Sequence, residues 1–179
     1  MGTVNGLPAH ILLVHAIVVL LPLAALLLLL TAVWPGARRR FAGPNAILSL
    51  LVVALVPVTT SAGEWLEHRV TETALLREHA ELGDTAIWAA IPVAVLALVI
   101  WWRQREATPV AGAPASGRRT YLAPLSGAVT RVIVVLAVAI SGWAAYDTYR
   151  IGDSGSKSAW TGNFSSTATQ RGPGGPGGD

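Results

Sequence analysis

Four stretches of this chain are too long and too uniformly apolar to be elements of a water-soluble core. A bilayer core about 30 Å thick needs roughly 20 apolar residues at 1.5 Å rise each. Residues 11–34, 46–62, 85–102 and 129–146 meet or approach that requirement. The first includes five consecutive leucines at 26–30 and leads through Pro35-Gly36-Ala37 into three arginines. No small-residue cleavage site follows it, so it reads as a span and not as a signal peptide. Composition agrees: 53% of the chain is apolar and only 13% charged, against about 25% charged in a typical soluble domain. Pro22, Pro57 and Pro92 fall inside spans. Membrane helices tolerate such prolines where neighbours re-satisfy the freed carbonyls, and kinks are expected there. The expected fold is an all-α integral membrane bundle of four transmembrane helices.

The short loops set the direction. Arg38, Arg39 and Arg40 follow the first span, and Arg103, Arg105, Arg118 and Arg119 lie between the third and fourth. Between the second and third spans, Glu64, Glu67, Glu72, Glu78, Glu81 and Asp84 face only Arg69 and Arg77. The positive-inside rule puts the arginine loops in the cytoplasm, and both termini and the acidic loop outside. The expected location is the plasma membrane, multi-pass, N-out and C-out. Trp34, Trp101 and Trp102 fall at the inner interface, and Trp65, Trp88, Trp143, Tyr146 and Tyr149 near the outer one, where amphipathic aromatics anchor spans. The net charge of +3 and pI of about 10.0 come from these topogenic clusters and not from a binding stripe, so no nucleic-acid partner is expected.

The four spans make one membrane domain, residues 1–151, with the lipid bilayer as its first partner. The Ala-, Pro-, Gly- and Ser-rich segment 107–117 reads as a flexible linker. The tail 152–179, rich in Gly, Pro and Ser, has almost nothing to bury and is expected to be disordered. From Gly63 to Gly83 the acidic loop contains no proline and many good helix formers. The second span should therefore continue outward, turn near residues 71–73, and return as a second helix through His79 into the third span.

The residues that could carry chemistry gather at one end. His10 and His15 open the first span, His68 follows the second, and His79 precedes the third. His15 lies inside the apolar run, where an ionisable side chain is a functional candidate by default. Glu64 and His68, four apart on a helix, share a face. Inward-facing carboxylates and imidazoles on separate helices are how bundles assemble metal sites. Two imidazoles at one level could clamp haem b, with His15 and His79 as the candidate ligands. Glu64, His68 and His10 are the candidates for a divalent metal. His10 and His15 stand about 140° apart round the helix, so both cannot face one iron. The chain has no cysteine, which excludes thiolate catalysis and Cys-ligated zinc or iron–sulfur clusters held by this chain. No HExxH motif, serine–histidine pair, phosphate loop or nucleotide fingerprint stands out.

Gly6-Leu7-Pro8-Ala9-His10, running into Leu12-Leu13-Val14-His15-Ala16, resembles the opening of the domain-of-unknown-function 2231 family. The resemblance implies four spans, a pair of histidines heading the first helix, a glycine followed by an acid near the end of the second, and a histidine heading the third. Here these elements are His10 and His15, Gly63-Glu64, and His79 within Arg77 to Asp84. The chain departs from the pattern in having Ala9-His10 where the family has His-Pro, and Ala16 where it has an aromatic. The resemblance covers residues 5–148. The association of some relatives with iron–sulfur electron carriers favours a redox role. The expectation is thus a membrane protein that binds haem b or a metal at its outer side for electron transfer, with a redox partner or membrane complex around it. The alternatives are a non-catalytic scaffold or accessory subunit, and a metal-dependent membrane hydrolase.

Overall fold

The computed structural model describes residues 2–108, 120–122, 124–165 and 167. A short hairpin, β1 (Thr3–Val4) and β2 (Leu7–Pro8), precedes five helices: α1 (Ala9–Val33), α2 (Pro35–Glu67), α3 (Ala74–Gly83), α4 (Ala86–Ala107) and α5 (Gly127–Trp160). Four segments are long and apolar enough to cross a membrane: α1, α2, the near-continuous α3–α4, and α5. The bundle is all-α, and its four long helices form a ring. α1 packs on α2 and α5, and α4 packs on the same two from the opposite side. The short α3 lies against the far end of α5.

Small residues let these helices close on one another. Ala24, Ala25, Ala89, Ala90, Ala137 and Ala144 are buried along the seams, with Leu21, Leu28, Val52 and Val93 filling the space between. Lipid tails are as apolar as leucine, so burial supplies little drive here, and close packing with interhelical hydrogen bonds takes its place. Ser141 of α5 donates to the Ala25 carbonyl of α1 (2.8 Å). The Asn45 amide of α2, in the orientation that satisfies both its ends, bridges the Ala24 carbonyl and the Leu28 N–H of α1. The helices run through Pro22, Pro44, Pro57 and Pro92.

Three local features differ from expectation. The arginines after the first span are not in a loop. One non-helical residue, Trp34, separates α1 from α2, and Pro35 opens α2, its fixed φ and missing N–H suiting a first helical position. Arg38 then folds back to cap α1, donating Nε to Thr31 O (2.8 Å) and Nη2 to Ala32 O (2.5 Å). Second, the tail does not begin at residue 152. α5 continues to Trp160 although Gly152, Ser154, Gly155, Ser156 and Ser158 are weak helix formers. Tertiary contact overrides propensity: α3 packs along this segment, Ser154 is buried, and Lys157 pairs with Asp153 one turn back (2.6 Å). The remainder of the expected tail, from residue 168, lies outside the described residues, as does the expected linker 107–117 beyond residue 108. Third, α2 ends at Glu67, and α3 starts where the Thr73 hydroxyl accepts from Leu76 N (3.1 Å), so the expected turn near residues 71–73 is present.

Candidate functional site

The N-terminal hairpin places His10. Asn5 and Gly6 adopt φ of 51° and 81°, the geometry of the tight hairpin turn for which an Asn-Gly pair is the strongest sequence signal. Ala9 N donates to Gly2 O (3.1 Å). Gly2 in turn sits so close to α2 that a Cβ there would fall 2.7 Å from the Trp65 ring. The head of α1 is thereby tied to the end of α2. His10 packs on Gly63 of α2, where a Cβ would lie 3.0 Å from its Cε1 and Nδ1. Its Nδ1 donates to the Thr59 carbonyl (3.0 Å).

His79 arrives from the other side. α3 lays its ring over Gly155 of α5, where a Cβ would meet Cε1 at 3.0 Å. His79 Nδ1 lies 3.0 Å from Ser154 Oγ. The Ser154 hydroxyl donates to Ile151 O (2.9 Å), so the proton between His79 and Ser154 belongs to the imidazole. The His10 and His79 rings then meet edge to face, centroids 6.3 Å apart and planes at 73°. A carbonyl can only accept, so the hydrogen-bond network assigns the Nδ1–H tautomer to His10 as well. Each ring keeps its Nε2 lone pair.

The other expected residues do not join this pair. His15 is exposed on α1, and its Nδ1 donates to Ile11 O of the same helix. It lies about 7.5 Å further along the helix axis than His10. Glu64 and His68 are exposed at the end of α2, and His68 Nδ1 donates to the Glu64 backbone carbonyl (2.7 Å), not to its carboxylate. The imidazole pair is therefore His10–His79 and not His15–His79. Among the described residues no three His, Asp or Glu side chains stand close enough together to cage a metal alone.

Two neighbours were not legible from the sequence. Ser154 makes the serine–histidine pair that no motif announces, because its partner is 75 residues away. It is not set up as a nucleophile: it is buried and its proton is held by Ile151 O. Asp147 is the second. It lies one residue past the expected fourth span, yet is only 3% exposed. Its Oδ1 shares the Thr85 hydroxyl proton (3.1 Å) with Leu82 O (2.7 Å), while Oδ2 is buried with no partner among the described residues. Asp147 and Ser154, seven apart, lie on one face of α5.

A sequence model described as "Predicted membrane protein (DUF2231)" matches residues 6–162, from the hairpin turn past the end of α5. The chain belongs to this family. The match takes in His10, Gly63 and His79, and also the α5 extension carrying Ser154 and Gly155. Neither the comparison with curated proteins nor that with solved structures gave a match. The DUF2231 protein is accordingly an integral membrane protein, its four long apolar helices in contact with lipid.

Proposed function

We propose that this DUF2231 protein binds a transition-metal ion, as the free ion or as haem iron, between the imidazoles of His10 and His79. By the positive-inside rule this end faces outward from the plasma membrane. The observation that carries the reading is the pairing: two rings from separate helices meet edge to face, each with Nδ1 given to a protein oxygen, which leaves Nε2 as the acceptor nitrogen, with no hydrogen-bond partner among the described residues. Metal-ligating histidines characteristically donate their second nitrogen in this way, which fixes tautomer and ring angle. Imidazole donors suit zinc, copper, iron and nickel. Two protein ligands leave coordination positions for water, a macrocycle or a partner's side chain. Iron or copper there would make electron transfer to a redox partner the working activity.

The test is calorimetric titration of the detergent-purified protein with Zn(II), Ni(II) and Cu(II), and a spectroscopic titration with haemin. His15→Ala and His68→Ala should bind as the parent does. Ser154→Ala, which removes the group orienting His79, should bind about tenfold more weakly. Binding that survives in His10→Ala and His79→Ala but is lost in His15→Ala would refute the assignment. Binding by none of the variants or the parent would favour the scaffold reading, in which these polar groups only join helices.

A further inference from the structure

At the opposite end of the bundle, two arginines converge on one cavity. Arg38 from α2 and Arg103 from α4 both line it, with Gln104, Pro124 and Thr130 completing its polar side. Arg103 is only 7% exposed, and its Nη2 donates to Thr130 Oγ1 (3.2 Å) and Pro124 O (3.4 Å). Arg38 gives Nε and Nη2 to the last carbonyls of α1, which leaves Nη1 without a partner among the described residues. The two guanidiniums are near enough to repel each other, with Glu106 as the acid acting on Arg103. Glu106 also accepts from the Trp102 indole and from the Tyr121 and Leu122 amides. Among the described residues, two cations at this half-enclosed site meet one carboxylate, an excess of positive charge that suits an anion.

We propose that this site holds a phosphate group between Arg38 and Arg103. Guanidinium N–H groups are strong, charge-assisted donors to phosphate oxygens, and Arg38 Nη1 is placed at the cavity to donate one. The depth suits a lipid headgroup: Trp34 and Trp102 are exposed at this end and Trp101 packs beside Gly43, and such aromatics mark the headgroup level of a bilayer. Basic pockets between membrane helices on the cytoplasmic side are known to take anionic headgroups. A free inorganic phosphate would use the same contacts. The site is independent of the histidine pair and stands or falls separately from it.

Native mass spectrometry of the full chain, delipidated and then mixed with phosphatidylglycerol or phosphatidylcholine, counts retained lipid. A parallel thermal melt reads stabilisation by inorganic phosphate against chloride at equal ionic strength. The expected result is retention of phosphatidylglycerol over phosphatidylcholine by about tenfold, falling to parity in Arg38→Gln and in Arg103→Gln but not in Arg40→Gln, an exposed arginine that does not line the cavity. Stabilisation by phosphate without lipid preference, lost in the same two variants, would keep the site and name free phosphate as its ligand. Equal retention of both lipids together with no phosphate stabilisation would overturn the proposal. So would a preference that survives in Arg38→Gln, which tests the site even if Arg103→Gln does not fold.

Discussion

His79→Ala is expected to weaken transition-metal binding by on the order of 100-fold or more. Loss of a residue that merely orients a metal-bound histidine costs about 10- to 100-fold, and His79 is proposed as a ligand itself. His10→Ala should act alike, and the double variant should be little worse than either single one, since one imidazole alone cannot hold the ion between two helices. The measurement is calorimetric titration at pH 7.5, with circular dichroism showing that the helices persist.

Thr85→Val is expected to destabilise the protein by about 1–3 kcal/mol, the cost of stranding a buried polar group. Thr85 is the partner that Asp147 has among the described residues, and Oδ2 of that carboxylate is already without one. Valine keeps the shape and removes the hydroxyl, so neither oxygen would retain a partner. Removing both members should be milder than removing one, because an apolar pair leaves nothing unsatisfied. Thr85→Val with Asp147→Leu should thus melt above Thr85→Val alone. Equal or lower stability of the double variant would mean that Asp147 finds water or another partner at this depth.

Much of the fold was written in period and composition. The four apolar blocks could become little else than spans, and the acidic loop between Gly63 and Gly83 carried enough helix formers to predict an outward turn. What could not be read was which histidine meets which. That depends on α3 folding against the extension of α5, and the extension is built from residues whose own preference is not helical. Ser154, Gly155 and Lys157 are helical because α3 and Asp153 hold them there. With residues 152–160 taken as tail, His79 had no visible partner on α5. The Asn5-Gly6 turn, by contrast, is a local signal, and the hairpin it closes ties the head of α1, with His10, to the end of α2. Gly63, expected as part of a family pattern, has a physical reason: the His10 ring occupies the space a Cβ would need.

Elemental analysis together with oxidised and reduced absorption spectra decides whether His10 and His79 hold a metal. The sample is the full chain purified in mild detergent from a culture supplemented with haem and trace metals. About one equivalent of zinc, copper, nickel or iron per chain is expected, the iron case showing a Soret band that shifts on reduction if it is haem. That equivalent should disappear in His10→Ala and in His79→Ala and persist in His15→Ala. A colourless, metal-free parent that also fails to take up any of these metals or haem on titration would contradict it, and the imidazole pair would then be a joint between helices.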